Sequence, residues 1–207
     1  MDQPTTFSKQ DYTVAENEPL YRGFFKLSLL KLRHKKFDGT WTPMLARECF
    51  ELSESVSVLP YDPIQDRVVL IEQFRIGALE RGEHPWLIEI ASGLFMENEK
   101  PREAALRETK EETGCTLLDL ELIHDYFGSP GCTNEYVHLF CGRTDSTGIQ
   151  GIHGVVAEDE DIRVLVCSTD QAFELLQTGC IKTAPAMLAL QWLQIHRDRL
   201  KAKWQKK

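Results

Sequence analysis

Little in the 207-residue chain favours a nucleic-acid or membrane partner. Bases are scarce beside acids, 24 Lys and Arg against 32 Asp and Glu, for a formal charge of −8. A general nucleic-acid binder would carry a basic stripe instead. No apolar run approaches the roughly 20 residues that a membrane-spanning helix needs. The N-terminal stretch MDQPTTFSKQDY lacks the basic-then-apolar pattern of an export signal. The six cysteines, at 49, 115, 132, 141, 167 and 180, form no CxxC pair and no zinc spacing. Cys141 and Cys167 sit in apolar strand-like runs and read as buried thiols, so a reducing cytoplasm is the expected setting. The six histidines, at 34, 84, 124, 138, 153 and 196, never pair at ligand spacing. They read as structural or surface residues, His153 least clearly because it lies in a loop near acidic residues. No Ser-His-Asp or Cys-His arrangement can be argued, and there is no internal repeat or low-complexity segment. What is left is length enough for one generous domain, or a domain with an addition, around a substantial core.

Periodicity supplies the elements. Residues 1–20 are polar and expected to be extended or loosely attached. Gly23–His34 and Thr42–Leu52 read as strands, the first alternating Phe25, Leu27 and Leu29 with Lys26 and Ser28, and Asp38-Gly39 between them is a hairpin signal. Such a hairpin is marginal alone and must pack on something; a second subunit is the favoured support. The main domain is expected from Ser53, so the boundaries are 1–52 and 53–207. Strands are expected at 56–59, 67–74, 86–90, 118–127, 136–142 and 163–167, with turns at 61–66 and 129–131 and loops at 81–85 and 143–160. Ser168 and Gln171 form a capping box for a helix to about Gln177, closed by Gly179. A last amphipathic helix runs from Ala184 to Trp204, with Met187, Leu188, Leu190, Leu193 and Ile195 as its apolar contacts.

The densest information lies in GLFMENEKPREAALRETKEETGC, Gly93 to Cys115. Pro101 suits a first helical turn, where a missing N–H costs nothing, and Gly114 suits the left-handed position past a helix end. Between them Glu108, Glu111 and Glu112 stand at i, i+3 and i+4 and share one face. Ala105 and Thr109 lie on another flank and can pack inward, and Arg107 precedes Glu111 by four. Three crowded carboxylates repel one another. A solvated acidic face is the ordinary reading; a hard divalent cation is the chemical alternative, since Mg²⁺ takes one or two carboxylates together with substrate phosphates.

The whole spacing shifts that balance. Gly93, five residues, Glu99, seven residues, then Arg-Glu-x-x-Glu-Glu-x-Gly from Arg107 to Gly114 resembles the Nudix box, with all seven polar and glycine positions filled. Thr109 and Cys115 stand in the two slots that are usually apolar. Thr109 then needs a hydrogen-bond partner, a carbonyl one turn back being the natural choice. Lys100 is a poor residue for the N-cap. Pro130, sixteen residues after Gly114, and the runs LIEQFRIGA, GIHGVVAEDEDIRV and LALQWLQIH resemble the ADP-ribose pyrophosphatase branch of that family, from about Tyr21 onward.

The resemblance implies an α/β fold: an α/β/α sandwich with a mixed sheet, plus an N-terminal antiparallel β segment for dimerisation, exchanged between two copies. It implies Mg²⁺-dependent hydrolysis (Mn²⁺ able to substitute) of the diphosphate of ADP-ribose to AMP and ribose 5-phosphate. The alternatives are another nucleotide sugar such as GDP-mannose or ADP-glucose, or an ADP-ribose sensor without hydrolysis. It assigns metal binding to Glu108, Glu112, Glu160 and the Ser92 carbonyl. Glu158 becomes the general base, and Glu111 a helper on the metal face. Phe24, Phe25, Arg47, Glu48 and Arg75 are expected to hold substrate. Leu94, Ser129, Pro130, Gly131 and Glu135 match the terminal-ribose side. From the residues alone, Phe24 and Phe25 read as hairpin core, Arg75 as equally a strand-end arginine, and Ala157–Asp161 as a solvated acidic loop, though long loops without structure are often functional.

Overall fold

A computed structural model describes residues 7–52 and 54–205 and divides them into two units. The proposed domain start, Ser53, and the first six of the residues expected to be loosely attached lie outside the described residues.

The first unit combines residues 7–52 with Phe127–Tyr136. Its sheet is an antiparallel meander of β1 (Tyr12–Arg22), β2 (Lys26–His34) and β3 (Leu45–Glu51). β2 and β3 occupy the two expected runs, with Gly39 at φ 83° in the turn between them. β1 corrects the expectation of a loose segment. All its residues are exposed, so burial left no alternation to read; backbone pairing from Tyr12↔His34 to Arg22↔Lys26 holds it. Phe127–Tyr136 is tied to β3: the Phe50 N–H donates to the Cys132 carbonyl at 2.8 Å, and the Leu52 N–H to the Asn134 side chain at 2.7 Å.

The second unit begins with β4 (Ser55–Asp62), β5 (Arg67–Phe74) and α1 (Ile76–Arg81), followed by β6 (Trp86–Glu89), β7 (Ala91–Leu94) and α2 (Pro101–Thr113). After these come β8 (Asp119–Phe127), β9 (Tyr136–Arg143), β10 (Ile152–His153), a 3₁₀ turn at Val156–Glu158, β11 (Ile162–Ser168), α3 (Thr169–Gln177) and α4 (Ala184–Trp204). Its mixed sheet has the order β10-β11-β5-β4-β9-β8, with β6 on β5 and β7 on β4. β4 and β9 run parallel. Every residue of β4 is buried because helices cover both faces. Val56 and Val58 pack with Ala104 and Ala105 of α2, while Leu59 and Tyr61 pack with α4. A fully buried aliphatic of this kind contributes roughly 2–3 kcal/mol, so this three-layer core, not surface pairing, holds the sheet.

α4 spans its expected range, but its buried stripe is Ala186, Ala189, Leu190, Leu193, Leu200 and Trp204. Leu188 and Ile195 are 40% and 78% exposed, a correction: Ala186 and Ala189 join Leu190, Leu193, Leu200 and Trp204 in seating the helix on the sheet. β10 replaces part of the expected loop at 143–160, and α1 fills a stretch for which no element was expected. α1 buries no residue and β10 has only two, so neither leaves a pattern to read. The Ser168–Gln171 capping box forms as expected. All six cysteines are free thiols, and no helix among the described residues is long and apolar enough to cross a membrane.

One half-buried charge cluster fastens α4 to the β4–β5 turn. Asp66 takes Arg197 and Lys201 as partners, the latter at 2.7 Å, and accepts from the Tyr61 hydroxyl at 2.9 Å. Burial opposes the charge, but these partners outweigh it and hold the Asp66 carboxyl well below the usual range. A lowered folded-state value means the contribution is present above about pH 4 and lost as pH falls below it. Asp66→Asn is therefore expected to lower unfolding stability by about 1–3 kcal/mol at pH 7, with the deficit shrinking towards pH 3, as read from urea unfolding at both pH values.

Candidate active site

α2 starts and stops where the sequence places it. Pro101 fills its first position, and Gly114 ends it at φ 72°. Lys100 offers no side-chain cap; the Glu103 carboxylate reaches back instead and accepts from the Lys100 N–H at 3.1 Å. The inward flank, Ala104, Ala105, Thr109, Glu112 and Thr113, is buried. The Thr109 hydroxyl finds no partner, contrary to expectation. The carbonyl-bonded hydroxyl of this turn is that of Thr113, which donates to the Thr109 carbonyl at 2.5 Å.

Arg107 organises the outward carboxylates. It binds Glu99 through Nε at 2.8 Å and Nη2 at 2.7 Å, and bridges Glu108 at 2.7 Å and Glu111 at 3.0 Å through Nη1. Its Nη2 also donates to the Leu94 carbonyl at 3.1 Å. The loop from β7 is thereby strapped to the helix, which explains why Glu99 and Arg107 belong to one motif. Gly93 lies against the Glu108 carboxyl: a Cβ at Gly93 would fall 2.0 Å from the carboxyl carbon. Gly93→Ala is expected to leave the fold intact, since only a flexible side-chain end must move. It should cut turnover on the order of a hundredfold by displacing Glu108, measured as kcat beside an unchanged circular-dichroism melt.

Glu112 is 2% exposed, and its carboxylate accepts from the Ser92 N–H at 2.7 Å. Burial, helped by Glu108 and Glu160, raises its carboxyl to about 8, against the lowering pull of the Ser92 N–H and Arg75. Burial likewise raises Glu108, with Glu111 and Glu160 adding to it and Arg107 opposing. Glu160, from the loop before β11, thus acts on both helix carboxylates. Its own carboxylate accepts from the Val155 N–H at 2.9 Å. Glu158 is exposed at the end of the 3₁₀ turn, next to Asp159 at φ 54°.

Arg75 stands close enough to influence Glu112, but its Nε is bound to Glu89 at 2.7 Å. Sequence reasoning missed Glu89; the alternation that puts it opposite Ile71 on β5 places it on the face of the sheet shared by Arg75. Leu94 is 44% exposed at the end of β7. The second unit therefore brings together Ser92, Glu108, Glu111, Glu112, Glu160 and Arg75, with Leu94 alongside.

The other candidates lie in the first unit. Phe24 and Phe25 form an edge-to-face pair at 5.0 Å, and Phe24 is 86% exposed, so they are not hairpin core. Arg47 and Glu48 are exposed on β3. Ser129, Pro130 and Gly131 make a turn whose Ser129 carbonyl accepts from Cys132 and Thr133, both at 3.1 Å. Gly128 packs against Glu135, where a Cβ would fall 2.4 Å from the carboxylate. Phe25, Phe50, Leu52, Cys132 and Thr133 enclose an apolar cleft of about 310 Å³. Phe25 and the loop after Gly131 thus share one cavity wall.

Among the described residues, no three His, Cys, Asp or Glu side chains converge to hold an ion as they stand. The donor set still suits a hard cation, because it is all oxygen, and burial together with Glu108 and Glu160 disfavours the Glu112 charge more than the Ser92 N–H and Arg75 support it.

A family model for the NUDIX domain matches residues 52–188. The chain is 42% identical over 201 residues to the ADP-ribose pyrophosphatase of Escherichia coli strain K12, covering 97% of this chain and 96% of the relative. It is 38% identical to the ADP-ribose pyrophosphatase of Haemophilus influenzae, covering 100% and 96%. The GDP-mannose pyrophosphatase of an Escherichia coli O1:K1 strain is 31% identical over 90% of this chain and 96% of its own. A solved structure described as an ADP compounds hydrolase superposes with a TM-score of 0.71 at 21% identity, covering 96% and 99%.

Proposed function

This chain belongs to the Nudix family, and we propose that within it the protein hydrolyses the diphosphate bridge of ADP-ribose to AMP and ribose 5-phosphate. The observation that carries the reading is the gathering of buried Glu112 with Glu108 and Glu160 at one end of α2. Its full-length similarity to ADP-ribose pyrophosphatases supports the choice of substrate.

A diphosphate is anionic on every reachable face and repels hydroxide. A divalent cation, with Mg²⁺ the expected one and Mn²⁺ a substitute, supplies neutralisation and an activated water. Glu108, Glu112, Glu160 and the Ser92 carbonyl are the proposed donors. Arg107, already bound to Glu99, orients Glu108 and Glu111. Glu111 keeps a partly exposed carboxylate beside them. Arg75, held by Glu89, presents a fixed positive charge towards a phosphate. Glu158 takes the proton from the attacking water, and its exposure leaves it free to reach substrate. Glu158→Gln is expected to cut kcat by at least about a hundredfold with little change in KM; near-normal turnover would remove it from the mechanism.

Substrate recognition falls to Phe24, Phe25, Arg47 and Glu48, with Leu94, Ser129, Pro130, Gly131 and Glu135 on the terminal-ribose side. The first unit, residues 1–52 in the main, is proposed to join two copies of the chain into a homodimer, leaving 53–207 as the hydrolase domain. Exposed apolar residues on its meander, Val14, Leu20, Tyr21 and Phe50 among them, support that role. A cytoplasmic setting fits a nucleotide-sugar substrate. The similarity to GDP-mannose pyrophosphatase favours a second reading with the same chemistry on another nucleotide sugar. Phosphate release with a coupled phosphatase, compared across ADP-ribose, ADP-glucose and GDP-mannose, separates the readings. ADP-ribose is expected to give the highest kcat/KM, and activity on none of the three would refute the assignment.

A further inference from the structure

β10 is two residues long, yet it lies at the edge of the larger sheet beside the last turn of α2. Ile152 pairs with Arg163 and His153 with Ile162. Glycines in the left-handed region flank it, Gly151 at φ 103° and Gly154 at φ 111°. The Gly154 N–H donates to the Glu111 carbonyl at 3.1 Å, one of the C-terminal carbonyls that a helix cannot satisfy from within. The His153 ring rests on the residue that ends α2: a Cβ at Gly114 would fall 2.6 Å from its Cε1. The Nε2 of that ring lies 3.0 Å from the Gln150 carbonyl, so it is the protonated nitrogen and the ring is fixed from its far side. On the other flank, a Cβ at Gly154 would fall 2.6 Å from the Cβ of Glu160. The Glu160 carboxylate closes the loop by accepting from the Val155 N–H at 2.9 Å.

His153 and Gly154 therefore touch the metal helix on one side and the loop carboxylate on the other. Glu108 and Glu112 come from α2, while Glu160 comes from a loop that is tied to that helix by the Gly154 N–H on the Glu111 carbonyl and by the His153 ring on Gly114. We propose that His153 and Gly154 are positioning residues that set the separation of Glu160 from Glu108 and Glu112, so that helix and loop donors meet one divalent cation. The inference rests on the metal role proposed above for those carboxylates. A side chain at residue 154 has to leave the left-handed backbone or push Glu160 aside. The first movement pulls the N–H from Glu111; the second displaces the loop carboxylate itself. Removal of the His153 ring leaves a gap over Gly114 into which the loop can shift.

The test is Mn²⁺ binding to the full-length protein, followed by electron paramagnetic resonance of the free ion, for the wild type, Gly154→Ala, His153→Ala and His153→Phe. Gly154→Ala and His153→Ala should each bind Mn²⁺ about tenfold more weakly or worse, the usual scale for a group that orients a metal ligand. Their kcat should recover as metal is raised, with KM for ADP-ribose at saturating metal within about twofold of wild type. His153→Phe keeps a ring over Gly114 and should restore most of the affinity. Wild-type Mn²⁺ affinity in His153→Ala and Gly154→Ala, with only the melting temperature lowered, overturns the proposal. Should Gly154→Ala fail to fold, the pair at His153 decides it alone. A wild-type protein that binds no Mn²⁺ sinks the metal reading as well, whereas normal wild-type binding with unaffected variants sinks only the coupling.

Discussion

Glu112→Gln should yield a protein that is nearly inactive and, without metal, more stable than wild type. The wild-type carboxyl sits near 8 because burial disfavours its charge and Glu108 and Glu160 repel it. In the unfolded chain it ionises near pH 4. A raised folded-state value means the stability it contributes is complete below that lower value and is lost as pH rises through the upper one. The metal-free wild type is therefore expected to weaken steadily from about pH 4.5 to pH 8. Glutamine keeps an oxygen for the Ser92 N–H but never ionises, so that slope disappears. At pH 8 the variant should exceed metal-free wild type on the order of 2 kcal/mol. Activity should fall by about a thousandfold or more, because a lost donor forfeits several kcal/mol of transition-state charge stabilisation. Adding Mg²⁺ should raise the wild-type melting temperature and leave the variant's unmoved. Urea unfolding across pH and kcat/KM on ADP-ribose check both halves. A variant that is less stable than wild type at pH 8 would show that Glu112 is a structural carboxylate already ionised in the fold.

Deletion of residues 1–50 should abolish dimerisation and activity together while leaving a folded second unit. That unit keeps its own core: Leu59, Leu70, Leu139, Leu190 and Leu193 all lie within it and are fully buried. The deletion removes Phe24, Phe25, Arg47 and Glu48, which are among the proposed substrate contacts, and all but the last residue of the meander. Sedimentation should give a monomer with a cooperative melt and turnover below detection. An active monomer contradicts both the homodimer and the substrate roles. If the truncated chain aggregates, Phe24→Ala/Phe25→Ala in the full chain serves, and it should raise KM with the oligomeric state unchanged.

How much was legible follows from what burial writes into a sequence. α2 was readable because Pro101 and Gly114 mark its ends, and α4 was readable in extent, though only Leu190 and Leu193 of the fully buried stripe were among its expected contacts. β5 was readable because Arg67–Phe74 is a near-continuous apolar run covered on both sides. β1 was not, since an exposed strand held by backbone pairing has no side-chain period to display. α1 and β10 are too short to have one. In the site, the helix carboxylates were visible from their i, i+3, i+4 spacing, and Glu160 from resemblance. Glu89 was invisible because its pairing with Arg75 depends on how β5 and β6 align, which no local pattern records. The unpartnered Thr109 hydroxyl has the same origin: spacing offered it a carbonyl, and Thr113 took that place one turn on.

The central claim is that α2 carries a divalent cation onto a substrate diphosphate. Anomalous diffraction from crystals grown with Mn²⁺ and a non-hydrolysable ADP-ribose analogue tests it most directly. The account predicts anomalous density touching Glu108, Glu112 and Glu160 and an oxygen of the diphosphate. Density elsewhere, with Glu112 still hydrogen-bonded to the Ser92 N–H and Glu108 still bound to Arg107, would contradict it.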